Sequence, residues 1–321
     1  MKIFVTRKVP LWDEISKPLF DAGHEVAVYG KNKTIAREEL ERELEKGYDG
    51  ILTLLNDKID EELLKHDVNN QLKVIANYTV GYDNINVEAC TKRNIKVSNA
   101  PSDEVNESVA EFTWAMILAL ARRLNEAGEF MRNAAYKGWD PEVFLGTWVS
   151  GKTLGLVGMG RIGGMVARRA AGFGVKVVYY NRKPSEGVDF EYIQNLDELL
   201  AMSDYISLHI PLTPETTHII NGKNLAKVKK GAFLINTARG PVVDEVEVVE
   251  ALRAGFLSGY AADVFENEPD PHPELLQMEN VFLTPHIASA TVEARRAMGN
   301  IAVSNLLAGL SGQNLPNLVT K

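Results

Sequence analysis

Cysteine is almost missing: the 321-residue chain has one, Cys90. A single thiol excludes an intrachain disulfide framework and suits a reducing, cytoplasmic setting. Cys90 also lacks a companion at metal-ligand spacing, so no metal is expected and the residue reads as a small buried apolar group. Long apolar runs are missing too. The longest near-uniform one, 112–121, has ten residues, too few to span a bilayer. The opening Met1-Lys-Ile-Phe-Val-Thr6 has a strand pattern rather than that of a signal peptide. No excess of basic residues exists: 35 Lys and Arg stand against 43 Asp and Glu, a net charge of −8. That balance argues against non-specific nucleic-acid binding. No repeat, low-complexity tract or lipidation signal is present. The first hundred residues hold no glycine-rich phosphate loop, which assigns that half to a substrate rather than a nucleotide.

The rest of the composition, 45% apolar and 24% charged, is that of a soluble globular protein. The length allows two domains with separate cores. The clearest motif lies mid-chain, in Thr153-Leu-Gly-Leu-Val-Gly-Met-Gly-Arg-Ile-Gly-Gly164. Leu154, Leu156 and Val157 form a short buried strand. Gly158, Gly160 and Gly163 make G-x-G-x-x-G, and an Ala/Arg helix and a second apolar run follow within thirty residues, as a βαβ unit requires. Gly158 permits the tight turn, Gly160 lets the backbone approach a pyrophosphate, and Gly163 lets helix pack on strand. The N–H groups of Arg161 and Ile162 at the helix start are placed for phosphates.

The end of the second strand selects between dinucleotides. An acidic residue there binds the adenosine ribose hydroxyls of NAD. This chain has Asn181, 18 residues after Gly163, followed by Arg182 and Lys183. Asn181 lacks the charge that repels a 2′-phosphate, and Arg182 offers a planar fork of donors that suits one. NADP(H) is therefore expected ahead of NAD(H), which remains possible.

Around this unit the chain alternates strand and helix patterns. Strands are expected at 3–5, 25–28, 50–54, 74–76 and 95–97, with helices at 15–22 and 36–46 between them. Ser102 is placed to cap a long helix carrying Val105, Val109, Phe112, Met116 and Leu120. A helix over 125–135 and a loop with Trp139, Phe144 and Trp148 follow. An excursion of this size before a dinucleotide-binding strand suggests a dimerisation arm. The alternation then resumes, with strands at 176–180, 205–208, 232–235, 259–262 and 281–283 and a last helix over about 292–308. The fold class is α/β, with two doubly wound parallel sheets, and the active site is expected in a cleft at the strands' carboxyl ends.

Three loops in the second half carry chemistry. They are Asn236-Thr-Ala-Arg-Gly240, Asp263-Val-Phe-Glu-Asn-Glu-Pro269 and Thr284-Pro-His-Ile-Ala-Ser289. Hydride transfer between a nicotinamide and a 2-hydroxy acid needs a cation to grip the substrate carboxylate, which Arg239 supplies with two parallel bonds. It needs an acid/base active near neutrality, the role of His286. It also needs a carboxylate behind that imidazole, Glu268, to fix its tautomer and stabilise its charge.

Taken together these motifs resemble the D-isomer-specific 2-hydroxyacid dehydrogenases, as does Asn77-Tyr-Thr-Val-Gly-Tyr-Asp-Asn84. The resemblance runs along essentially the whole chain. The spacings of 29 residues from Arg239 to Glu268 and 18 from Glu268 to His286 agree with it. It implies a Rossmann cofactor domain over 100–290 and a discontinuous, flavodoxin-like substrate domain over 1–99 and 291–321. It implies that the Val80 and Gly81 N–H groups hold the substrate carboxylate with Arg239. Thr237, Ala238, Asp263, Ala288 and Ser289 would contact the nicotinamide half. A homodimer through the cofactor domain is implied as well. Within the family, Asn181-Arg-Lys183 and the Tyr78-Thr-Val-Gly81 loop look most like the glyoxylate/hydroxypyruvate reductases. Reduction of glyoxylate to glycolate, or hydroxypyruvate to D-glycerate, is thus the expected activity.

Other members bound the reading. The chain ends soon after the last helix, so the regulatory domain of the longer phosphoglycerate dehydrogenases is not expected. Glu268 stands where formate dehydrogenases carry glutamine. The alternative activities are those of another D-2-hydroxyacid dehydrogenase, for D-lactate or 3-phosphoglycerate, or of a phosphite dehydrogenase, which shares the acid–base set. A dinucleotide-sensing corepressor is the rival outside enzymology; such proteins normally carry binding extensions, and none is evident here.

Overall fold

Short aliphatic runs make the strands, and the computed structural model, which describes residues 1–320, divides them between two units. The first unit is 1–105 with 290–320 and the second 106–289. In the first, β1 (Lys2–Val5), β2 (Glu25–Val28), β3 (Gly50–Thr53), β4 (Val74–Asn77) and β5 (Lys96–Ser98) pair in the order β2-β1-β3-β4-β5. All pairings are parallel, which is the flavodoxin-like order. β3 and β4 are buried at every position, as expected of strands covered on both faces. The closing helix Val292–Leu310 covers this sheet, with Ala294, Met298, Ala302 and Leu306 buried. Ile301, expected on the same side, is only half-buried.

The second unit holds β6 (Thr153–Val157), β7 (Lys176–Tyr180), β8 (Glu191–Tyr192), β9 (Tyr205–Leu208), β10 (Ala232–Asn236), β11 (Leu257–Ala262) and β12 (Val281–Leu283). They run β8-β7-β6-β9-β10-β11-β12, again all parallel. The order reverses between β6 and β9, the topological switch point at which such sheets bind ligands. Register places Tyr180, Val157, Leu208, Asn236, Ala262 and Leu283 in one row across six strands. The glycine loop and the three chemistry-bearing loops all leave from that row. It is the fact that builds the site.

Some boundaries differ from expectation for identifiable reasons. The helix expected over 15–22 is two pieces, Trp12–Ile15 and Lys17–Asp21, joined at Ser16. Pro18 causes the break, because its ring cannot sit inside a continuous helix but fits a first turn. The strand expected to reach 54 stops at Thr53, where the Leu54 N–H turns to the Asp57 carboxylate at 2.8 Å. The two-residue β8 was not foreseen. The helix Asp103–Ala121 begins as expected, with the Val105 N–H on Ser102 Oγ at 3.2 Å. The helix expected to run to 135 stops at Arg132, and Ala134 takes a left-handed φ of 52°.

Candidate active site

β6 ends in a turn that only glycine can make. Gly158 has φ +107°, and a Cβ there would lie 2.4 Å from the His209 carbonyl oxygen. A Cβ on Gly163 would lie 2.1 Å from the Gly158 carbonyl oxygen, so helix Arg161–Ala170 rests directly on the turn. Gly160 is different: open space faces its missing Cβ. A loop with such an opening, leading into the first N–H groups of a ten-residue helix at Arg161 and Ile162, fits a pyrophosphate. His209, across the switch point, is half-buried with its Nε2 2.9 Å from Ser207 Oγ, and loss of hydration pushes its imidazole down to about 4. It is therefore a neutral packing group.

Asn181 has a task its position did not disclose. Its Oδ1 accepts the Met159 N–H at 2.9 Å, and its Nδ2 donates to Ser185 Oγ at 2.7 Å. The side chain braces the glycine loop from β7. Arg182 and Lys183 beyond it are exposed.

The three loops beyond β10, β11 and β12 are held by backbone contacts. Asn236, wholly buried, accepts the Ala238 N–H at 3.0 Å and donates to the Arg239 carbonyl at 3.0 Å. This Asx-type turn aims the arginine. Arg239 Nη1 donates to the Ala238 carbonyl at 2.7 Å, and Thr237 Oγ1 lies 3.0 Å from Thr113 Oγ1. At Gly240 the first loop touches the second: a Cβ would lie 1.7 Å from the Phe265 carbonyl oxygen. The second loop is pinned further by Glu245, whose buried carboxylate accepts the Glu266 N–H at 3.0 Å and the His272 N–H at 2.8 Å.

Asp263 is 1% exposed, and both of its carboxylate oxygens accept hydrogen bonds from the third loop. One oxygen accepts the Thr284 hydroxyl at 2.6 Å and the Ile287 N–H at 2.8 Å, and the other the Ala288 N–H at 2.7 Å. The Asp263 carbonyl also takes the His286 N–H at 2.9 Å. These bonds hold His286 at φ 55°, a left-handed conformation that costs a non-glycine residue about 1–3 kcal/mol. The imidazole is thereby aimed so that Nδ1 lies 3.1 Å from Glu268 Oε2. Glu268 Oε1 accepts the Phe265 N–H at 3.3 Å. Burial raises the Glu268 carboxyl, but the hydrogen bond and charge of His286, with the nearby Arg239 guanidinium, bring it below the ordinary carboxylate value. A cation, an imidazole and a carboxylate therefore gather from residues 239, 268 and 286. Among the described residues no three His, Cys, Asp or Glu side chains form a group able to hold a metal.

In the first unit, the loop after β4 turns its amides outward. The Thr79 carbonyl accepts the Ala100 N–H at 2.8 Å and the Val80 carbonyl accepts Asn99 Nδ2 at 2.6 Å. Because C=O and N–H are antiparallel across a trans peptide, the Val80 and Gly81 N–H groups point away from residues 99 and 100. Reading by motif missed the polar residues that do the holding. Asn236 and Asn77, each the last residue of a strand and followed by small or hydroxyl residues, were the available signal.

Comparison with known proteins gives one consistent result. Residues 114–288 match the family model described as D-isomer specific 2-hydroxyacid dehydrogenase, NAD binding domain. A glyoxylate reductase of Thermococcus litoralis is 44% identical over 328 residues, covering 100% of this chain and 97% of that protein. One from Thermofilum pendens is 45% identical over 329 residues, covering 100% and 94%. Among solved structures, a Thermus thermophilus protein superposes with a TM-score of 0.93 at 43% identity, covering 99% of this chain and 100% of that one. A Sinorhizobium meliloti protein described as an NADPH-dependent glyoxylate/hydroxypyruvate reductase, in complex with NADP and malonate, gives 0.85 at 31% identity, covering 99% and 96%.

Proposed function

Since this chain belongs to the D-isomer-specific 2-hydroxyacid dehydrogenase family, we propose that it reduces glyoxylate or hydroxypyruvate to the D-2-hydroxy acid with NADPH. The observation that carries the reading is the pairing of His286 with Glu268 at 3.1 Å beside Arg239, on loops leaving one row of strand ends. The full-length likeness to glyoxylate reductases supports the substrate. Asn181, Arg182 and Lys183, in place of an acidic residue, support NADPH over NADH.

The dinucleotide, when bound, supplies the hydride. The glycine loop at Gly158, Gly160 and Gly163, with the Arg161 and Ile162 amides, holds its phosphates. Arg182 and Lys183 bind the 2′-phosphate. Thr237, Ala238, Asp263, Ala288 and Ser289 flank the nicotinamide half. Arg239 grips the substrate carboxylate through its fork of donors, and Val80 and Gly81 donate their N–H groups to the carboxylate. Protonated His286 gives its Nε2 proton to the keto oxygen while Glu268 on Nδ1 stabilises the imidazolium.

The test is a panel of glyoxylate, hydroxypyruvate and pyruvate with each cofactor. The expected result is the highest kcat/KM for one of the first two with NADPH. A clear NADH preference refutes the cofactor assignment, and a pyruvate preference refutes the substrate.

We further propose a homodimer through residues 124–148. Leu124, Met131, Trp139, Leu145 and Trp148 there are 56–83% exposed, a concentration of apolar surface that marks an association site. Phe144 is an exception: it packs edge-on against Phe130 and under Arg123, shaping the arm from within. Light scattering should read twice 35.5 kDa; a monomer removes the proposal.

A further inference from the structure

Two loops at the carboxyl edge of the first unit's sheet are tied by one amide. Asn84 Nδ2 donates to the Leu54 carbonyl at 3.0 Å and to the Asp57 carbonyl at 2.9 Å, using both hydrogens. Its Oδ1 accepts from Asn77 Nδ2 at 3.1 Å. Asn77, wholly buried, shares its two amide hydrogens among Asn84, the Gly81 carbonyl at 2.9 Å and Thr79 Oγ1 at 2.8 Å, and accepts from Thr53 Oγ1 at 3.2 Å. The Asn84 carbonyl takes the Ile59 N–H at 2.8 Å. The orientation of the Asn84 amide is fixed by its partners: turned over, it would set an oxygen against two carbonyl oxygens. The 54–57 turn is itself closed by Asp57, whose carboxylate accepts the Leu54 N–H and the Thr6 hydroxyl.

We propose that Asn84 is a positioning residue that fixes the 54–57 loop against the 79–81 loop, and so sets which 2-keto acid side chain is accepted. The inference rests on the proposed function, in which the Val80 and Gly81 amides take the carboxylate. The 54–57 loop then presents Leu54 and Leu55, both half-buried, at a set distance from that anchor. One end of the acid is held by the first loop and the other is gauged by the second. Asn84 touches neither end. It acts through the spacing.

The tests are Asn84→Asp, which keeps shape and acceptor but loses both donors, and the milder Asn84→Ser, should the first not fold. Each is measured in the full-length protein with glyoxylate, hydroxypyruvate and the bulkier 2-ketobutyrate. Loss of two net hydrogen bonds should raise the KM for glyoxylate about tenfold. It should narrow the preference for glyoxylate over 2-ketobutyrate by a similar factor. NADPH affinity, read by fluorescence, should stay unchanged, as should kcat within about threefold. Hydrogen exchange at the Asp57 and Ile59 amides should speed up while that of β10 does not. An active wild type whose variant keeps its KM and discrimination overturns the Asn84 assignment alone, and so does unaltered exchange. A wild type that turns over no 2-keto acid overturns the function on which the assignment rests.

Discussion

Replacing His286 with glutamine should lower the turnover of keto-acid reduction about 10²–10⁴-fold, the worth of a positioned general acid, while dinucleotide binding persists. Glutamine keeps a hydrogen-bonding head near the Glu268 carboxylate, which stands 3.1 Å from the ring in the native protein, but it has no transferable proton. Binding should survive because the glycine loop at Gly158–Gly163 leaves from a different strand end, beyond β6. The companion change, Glu268→Gln, has a defined sign. Glu268 titrates below its ordinary value in part because His286 bonds to it. Removing that carboxylate should lower turnover, because nothing then offsets the charge on the ring as it passes its proton. Unaltered turnover in either variant would separate these residues from proton transfer.

The second large effect belongs to a residue that touches no reacting atom. Asp263→Ala should abolish most activity and cost about 3 kcal/mol of stability or more. The alanine leaves the Ile287 N–H, the buried Ala288 N–H and the Thr284 hydroxyl without their acceptor, and a buried unsatisfied donor costs about 1–3 kcal/mol. It also frees a loop in which His286 is held at φ 55°, and release of that conformation relieves strain by turning the imidazole away. Asp263→Asn retains one oxygen and should fall between wild type and alanine in both stability and turnover. Chemical denaturation with matched assays checks this. Wild-type stability in Asp263→Ala would show that the carboxylate does not hold the loop.

These two residues illustrate what was legible beforehand. The roles proposed for His286, Arg239 and Glu268 come from residue types, because few side chains perform those tasks. Their meeting could be inferred from three loops that each follow an apolar run. The register across β10, β11 and β12 gives the physical reason. The glycines were legible because backbone contact at Gly158 and Gly163 leaves no room for any other residue. Asp263 was not legible in the same way. A motif places an acid near the site but does not say whether it faces outward or folds back onto its own loop. The brace that Asn181 gives the glycine loop was hidden for a similar reason: its position suggests a cofactor contact but not a bond to Met159. The backbone contact at Gly240 and the tie made by Asn84 depend on neighbours 25 and 27–30 residues away, which periodicity and spacing do not reveal.

The central claim is a hydride passed from a dinucleotide to the keto carbon of a small acid as His286 supplies the proton. Glyoxylate should therefore be incubated with NADPH deuterated at the transferable nicotinamide position, and the glycolate examined by mass spectrometry. One deuterium per molecule at C2, formed in step with cofactor oxidation, is the predicted result. Glycolate without label, or a cofactor that binds and is never consumed, would contradict the account.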